Sequence, residues 1–152
     1  MALLERPRGR LTAKDFREVT PQRLRARQLV DAIDRDRLVV QLLDQGRTQT
    51  QAAEESGLSQ ATVHRISRRR EQIEEQRENP RPMEVIARWL IGEVTHEAMI
   101  EDLVSRTYEA GRIPEGSYDG YVPGTWDDLI QASVNGMLPP EDFQQIRDNA
   151  AS

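Results

Sequence analysis

The chain of 152 residues contains no cysteine, two histidines and only 5% aromatic residues, and these absences exclude several classes of protein. Without cysteine there is no disulfide, no thiolate nucleophile and no cysteine-ligated zinc or iron–sulfur site. His64 and His96 lie in different segments without the spacing of a metalloprotease motif, so neither is expected to bind a metal. Neighbouring carboxylates such as Asp127 and Asp128 would point about 100° apart on a helix and cannot share one proton site. The sequence therefore predicts no cofactor and no enzymatic activity.

Long apolar runs are also missing. No stretch of 18 apolar residues is present, and the first residues do not resemble a signal peptide. We therefore expect a cytoplasmic protein without a membrane partner. The apolar share of 37% is low and the charged share of 31% is high, which favours extended polar helices in one domain or two small ones.

The two halves of the chain differ in charge. Residues 1–78 contain 16 Arg or Lys against 13 Asp or Glu, whereas residues 79–152 contain 5 against 13. An acidic protein can still bind DNA if its positive charge lies on one face. The first half is therefore the candidate for binding DNA, and phosphates should repel the second half.

One segment, RTQTQAAEESGLSQATVHRISRRR at residues 47–70, has the spacing of two short helices that cross at a steep angle. Small residues at positions 52 and 53 allow the crossing, and Gly57 supplies the turn. Thr48 and Gln51 form a capping box for the first helix, and Ser59 caps the second without an acidic partner. The N-terminus of the second helix is thus free of negative charge, as a helix end that faces phosphates requires.

This segment resembles the helix-turn-helix of bacterial and phage transcriptional regulators, and SQATVHRIS is most similar to the Trp-repressor-like branch. The resemblance covers about 30 residues, and it implies that a recognition helix from Ser59 to about Arg70 lies in the major groove. No amino-acid corepressor is implied, because the flanking helices that bind one cannot be aligned.

The resemblance implies two kinds of DNA contact. Gln60 would pair with adenine, Arg65 with guanine, and the methyl groups of Ala61 or Thr62 would contact thymine. Thr50 and Gln51 would hold phosphates. The full set of expected DNA-binding residues is Thr50, Gln51, Ser59, Gln60, Ala61, Thr62, His64, Arg65, Arg68 and Arg69.

We predict an all-α protein in which a helix-turn-helix domain precedes a small helical domain. Residues 1–20 are expected to be a flexible basic arm, in which Arg6, Arg8 and Arg10 either enter a minor groove or belong to a disordered terminus. Residues 21–78 form the DNA-binding domain, with no helix breaker between the recognition helix and Pro80. Residues 79–82, Asn-Pro-Arg-Pro, are the linker, and residues 83–152 form an acidic dimerisation or partner-binding domain.

Start and stop signals predict the helices outside the motif. They are expected over residues 21–44, with Gly46 as the end, over 83–91, from the cap Thr95 until Gly111, from the cap Thr125 through 134, and over 140–149. A glycine, an aliphatic residue two positions later and a glutamate recur in WLIGEVTHEAM and SVNGMLPPEDF, which suggests an internal repeat.

The aromatic residues of the second half have three interpretations. They are anchors for a dimer or protein partner, the lining of a small-molecule sensor, or the core of a small helical domain. The candidate partner or effector residues are Trp89, Tyr118, Tyr121 and Trp126.

The motif and the charge distribution predict a sequence-specific DNA-binding regulator. We expect a repressor that acts as a homodimer, because one recognition helix reads too few base pairs. The alternative is an antitoxin whose helix-turn-helix regulates its own operon and whose acidic half binds a toxin. A recombination factor, or a partner in the transcription machinery, is also compatible with the sequence.

Overall fold

The structure is a computed structural model that describes residues 18–115, 120 and 124–150. The prediction of an all-α protein is confirmed, since the described residues form eight helices. They are α1 Pro21–Asp44, α2 Gln49–Ser56, α3 Gln60–Arg68, α4 Arg70–Glu78, α5 Pro82–Leu90, α6 His96–Ser105, α7 Thr125–Val134 and α8 Pro140–Asn149. None of these helices is long and apolar enough to cross a lipid bilayer.

The chain divides into two compact units. The central unit is the continuous segment 28–80, and the terminal unit combines, among the described residues, 18–27, 81–115, 120 and 124–150. The division after Pro80 lies within the predicted linker, but residues 21–27 of α1 group with the terminal unit rather than with the predicted DNA-binding domain. The predicted basic arm lies largely outside the described residues.

The central unit has one small aliphatic core. The second half of α1 contributes Val39 and Val40, and the core also contains Ala52, Ala53, Val63, Ile66 and Ile73. Gly46 adopts a left-handed φ of 93° directly after α1, so the helix ends where the sequence predicts. Because these residues share one core, the second half of α1 supports the pair α2 and α3.

The terminal unit contains two similar helical hairpins, α5–α6 and α7–α8. In the first, Gly92 has a φ of 88°, and in the second Gly136 has a φ of 72°. Five backbone hydrogen bonds of the first connection recur 44 positions later: Gly92 N–H donates to Trp89 O at 3.0 Å, and Gly136 N–H donates to Ser133 O at 3.1 Å. The recurring pattern predicted from the sequence is therefore present in the backbone of both connections.

Three predicted helix boundaries are wrong. Helix α6 ends at Ser105, before Gly111, because Arg106 adopts an extended conformation and Tyr108 donates a hydrogen bond back to the carbonyl of Leu103. Thr125 does not cap α7 but is its first residue: Gly124 is the N-cap, and Thr125 Oγ1 instead accepts a hydrogen bond from Glu109 N at 2.9 Å.

The third concerns the recognition helix, which was expected to reach about Arg70 with no breaker before Pro80 but ends at Arg68. Arg69 leaves helical geometry, with φ −103° and ψ 13°, and its N–H donates to Ile66 O at 2.9 Å in a tighter turn. Neither glycine nor proline is present here. The side chain of Arg69 forms an ion pair with Asp36 of α1 at 3.0 Å, and Arg37 of α1 donates to Gln76 O at 3.1 Å. These tertiary contacts hold α4 against α1, and local sequence does not encode them.

The predicted linker is partly structured. Pro82 is buried and begins α5. Arg81 forms a two-pronged ion pair with Asp128 of α7, in which Nε donates to Oδ2 at 3.0 Å and Nη2 donates to Oδ1 at 2.8 Å. The hydrogen bond to Asp128 raises the pKa of Arg81. This pair ties the start of α5 to α7.

Candidate nucleic-acid interface

The first helix of the candidate interface, α2, begins in a reciprocal cap. Thr48 Oγ1 accepts a hydrogen bond from Gln51 N at 3.1 Å, and Thr48 N donates to Gln51 Oε1 at 3.0 Å. Both hydrogen bonds satisfy backbone N–H groups that a helix start leaves free. The first turn of α2 is fixed, and Thr50 and Gln51 are exposed on it. The amide oxygen of Gln51 is engaged in the cap, so its NH₂ group remains for an external acceptor.

A left-handed glycine joins the two helices. Gly57 has φ 72° and ψ 17°, and its N–H donates to Ala53 O. Leu58 N also donates to Ala53 O, at 3.1 Å, so this carbonyl closes the end of α2. The chain then enters α3 after Ser59. The turn between α2 and α3 is therefore completed within three residues, through a backbone conformation that most side chains disfavour.

The inner face of α3 holds the helix in position. Val63 is fully buried and Ile66 is 1% exposed. They pack in the same core as Ala52 and Ala53, whose methyl groups let the two helices approach closely. Gln49 Nε2 also donates to Ser67 Oγ at 3.3 Å and joins α2 to α3 at the surface. Sequence reasoning missed Gln49, although its place directly after the N-cap Thr48 was a usable signal.

The N-terminus of α3 carries no carboxylate. Ser59 Oγ accepts a hydrogen bond from Thr62 N at 3.1 Å, and no acidic residue occupies the first turn. The hydroxyl groups of Ser59 and Thr62 lie 2.8 Å apart. Arg65 Nη2 donates to Thr62 Oγ1 at 3.2 Å. The positive end of the helix dipole therefore lies beside hydroxyl groups and a guanidinium, an environment that suits an anion.

The outer face of α3 is accessible. Thr62 is partly buried, whereas the remaining predicted residues of α3 and its caps are exposed: Ser59, Gln60, Ala61, His64, Arg65, Arg68 and Arg69. Within the described part of the chain, Arg65 and Arg68 form no ion pair. Because no carboxylate neutralises them, both guanidinium groups remain for an external acceptor.

Other arginines near this face are paired with carboxylates. Arg69 contacts Asp36, as described above, and Arg70 forms an ion pair with Asp44. Arg47 Nε lies 3.2 Å from Glu55. Arg69 is therefore tied to α1, unlike the other predicted DNA-binding residues on α3. The unpaired positive charge at the interface comes from Arg65 and Arg68.

The predicted partner or effector residues do not form one site among the described residues. Trp89 is 3% exposed, and its indole packs 5.5 Å from the ring of His96. Trp126 lies between Tyr108, at 5.5 Å, and Phe143, at 5.8 Å. Tyr118 and Tyr121 lie outside the described residues. Trp89 belongs to the interior of the terminal unit and is not available to a partner.

Comparison with known proteins adds no identification. No family model matches the chain, and no match was found among curated proteins or solved structures.

Proposed function

We propose that this protein is a sequence-specific DNA-binding transcriptional regulator, a repressor that acts as a homodimer with α3 in the major groove. The observation that carries the proposal is the division of α3 into two faces. Val63 and Ile66 are fixed in the core, while Gln60, Ala61 and the unpaired Arg65 and Arg68 are exposed on the outer face, and the first turn of the helix contains no carboxylate. This combination of a fixed inner face and a free polar outer face is what reading base edges requires.

The roles follow from position along α3. Gln60 and Ala61, in the first turn, would contact adenine and the methyl group of thymine. Arg65 follows one turn later and would pair with guanine through its two-pronged guanidinium. Arg68, at the end of the helix, together with Thr50 and Gln51 of α2, would hold phosphates. Two copies are required because one helix of this length reads only a few base pairs. The protein would act in the cytoplasm on the DNA of its own cell.

The test begins with selection of bound duplexes from a random library by the full-length protein. The selected duplex is then used in binding assays with Arg65→Ala, Gln60→Ala and Arg68→Ala. We expect Arg65→Ala to weaken binding by about 1–3 kcal/mol and to relax the base preference at one position. Arg68→Ala should weaken binding to all sequences and reduce the slope of log K against log salt by about 1.

Arg77→Ala is the matched control. Arg77 is exposed in the last turn of α4, so its removal deletes the same charge from the same unit without altering α3. Its affinity for the selected duplex should remain close to wild type. Enrichment of no common sequence, or an unchanged base preference in both Arg65→Ala and Gln60→Ala, would refute the proposed role of α3.

A further inference from the structure

The terminal unit has a groove between α6 and α8 that the proposed DNA contacts do not use. Its volume is about 480 Å³, within the usual range for a binding cleft. The floor contains Ile100 and Val104, one helical turn apart on α6 and only partly buried. Their neighbours Met99 and Leu103 are fully buried and form the core. The groove therefore presents aliphatic surface beyond what the core of this unit requires.

Acidic side chains form one edge of the groove. Glu97 and Glu101 are exposed and also lie one turn apart on α6. Among the described residues, neither carboxylate takes part in an ion pair or a side-chain hydrogen bond. Because these two residues are spaced i and i+4, they lie on the same side of the helix, beside the pair Ile100 and Val104, which has the same spacing. Two unneutralised charges at this edge favour a cationic partner.

The opposite wall and one end are polar and ordered. Gln145 and Asn149 of α8 face the groove, and Asn149 Nδ2 donates to Gln145 O at 2.7 Å. His96 lines one end, and its Nε2 lies 3.0 Å from Asp142 Oδ1. Burial raises the pKa of the Asp142 carboxyl, while its hydrogen bond with His96 acts in the opposite direction. The contact between His96 and Asp142 joins the start of α6 to the first turn of α8 at that end of the groove.

The geometry points to this groove as the docking site for a basic amphipathic helix of a partner protein. Aliphatic residues of such a helix would cover Ile100 and Val104, and arginine or lysine residues one turn apart would pair with Glu97 and Glu101. The charge of this half of the chain supports a cationic occupant, since residues 79–152 contain 13 acidic against 5 basic residues. A second copy would bring an equally acidic half to this face. The inference does not rest on DNA binding.

The probe for the test is a labelled synthetic helix of about 18 residues, or five turns, with leucine on one face and arginine beside it. A peptide of the same composition in an order without an apolar face is its control. Fluorescence anisotropy with the full-length protein should show at least roughly tenfold tighter binding of the amphipathic peptide. Ile100→Asp should weaken binding of the amphipathic peptide about tenfold, because it places a charge on the floor of the groove.

The edge charges have their own variant and control. Glu97→Gln with Glu101→Gln should weaken binding several-fold and reduce its dependence on salt. The matched control is Glu74→Gln with Glu78→Gln, which removes two exposed carboxylates with the same spacing from α4 in the central unit. That variant should bind the peptide as wild type does. Both pairs lie on the surface, so far-UV circular dichroism should show native helix content for each.

Several results would overturn the inference. Equal binding of the two peptides would show attraction by charge alone, and unchanged binding by Ile100→Asp would show that the groove is not the site. If circular dichroism shows that Ile100→Asp is misfolded, the double variant of Glu97 and Glu101 replaces it as the test. Equal losses of peptide affinity in this variant and in its α4 control would also exclude the groove. Sedimentation equilibrium without peptide gives the last result. If Ile100→Asp has a lower oligomeric mass than the wild type, the groove binds a second copy and the proposed partner is rejected.

Discussion

Replacing Gly57 with alanine tests whether the turn between α2 and α3 depends on backbone conformation alone. Gly57 has a φ of 72°, and a Cβ atom built on it meets no other atom within 4 Å. No steric clash therefore contributes to the result. The left-handed conformation costs a residue with a Cβ roughly 1–2 kcal/mol. Alanine also restricts the unfolded chain, which offsets about 0.4–1 kcal/mol. We expect Gly57→Ala to lower the free energy of unfolding by about 1 kcal/mol.

Urea denaturation followed by far-UV circular dichroism is the appropriate assay. Trp89 and Trp126 both lie in the terminal unit, and residues 28–80 contain no aromatic residue, so tryptophan fluorescence does not report directly on this turn. Gly57→Asn is the informative control, because asparagine tolerates the left-handed region better than alanine and should lose less stability. An alanine variant as stable as wild type, or less stable by 3 kcal/mol or more, would refute the reasoning.

Three further predictions concern the terminal unit. Gly124→Ala should lower the free energy of unfolding by about 3 kcal/mol in chemical denaturation, because the new Cβ would overlap the backbone of Glu109 and Ala110. This loss should be far larger than that of Gly57→Ala, and equal losses would contradict the prediction. Arg81→Ala should lower the free energy of unfolding by about 2 kcal/mol in the same assay, because it leaves the largely buried Asp128 carboxylate without its cationic partner. Asp128→Asn should lower it by less, because no buried charge is then left unpaired. Burial raises the pKa of Tyr108 to about 12, because the folded protein disfavours the charged phenolate. The contribution of the neutral Tyr108 side chain to the free energy of unfolding is therefore fully present below about pH 10 and is lost as the pH rises through about 12. Ultraviolet titration should show one late tyrosinate that Tyr108→Phe removes.

The fold was predictable where a boundary depends on neighbouring residues. Helix α1 begins at Pro21 after Thr20, and Thr20 Oγ1 accepts a hydrogen bond from Arg23 N at 3.1 Å. It ends before Gly46, and α8 likewise begins at Pro140 and ends at Asn149 as the sequence predicts. Proline and left-handed glycine act within one turn of the chain, so their effect is visible in the sequence. The break at Arg69 occurs where Arg69 and Gln76 contact Asp36 and Arg37 of α1, more than 30 positions away, and local residues do not predict such contacts.

The candidate interface shows the same distinction between local and distant causes. The caps at Thr48 and Ser59 and the turn at Gly57 are local, and their geometry agrees with the spacing of the motif. Which arginines remain unpaired is a tertiary property, because Arg69 and Arg70 find carboxylates on α1. From their spacing alone, Arg68 and Arg69 were both expected to bind DNA. The structure separates them by the presence or absence of a partner.

Net charge does not explain how the central unit would bind DNA. Residues 28–80 contain 8 arginines against 10 acidic residues, so the excess of basic residues in the first half arises before residue 28. Four of these arginines form ion pairs with carboxylates: Arg35, Arg47, Arg69 and Arg70. Long-range attraction to phosphates should therefore be weak, and affinity must depend on where Arg65 and Arg68 lie relative to the duplex. In the proposed complex, only close docking of α3 would bring its two unpaired cations within reach of the DNA, and this would favour contacts with base edges over non-specific binding.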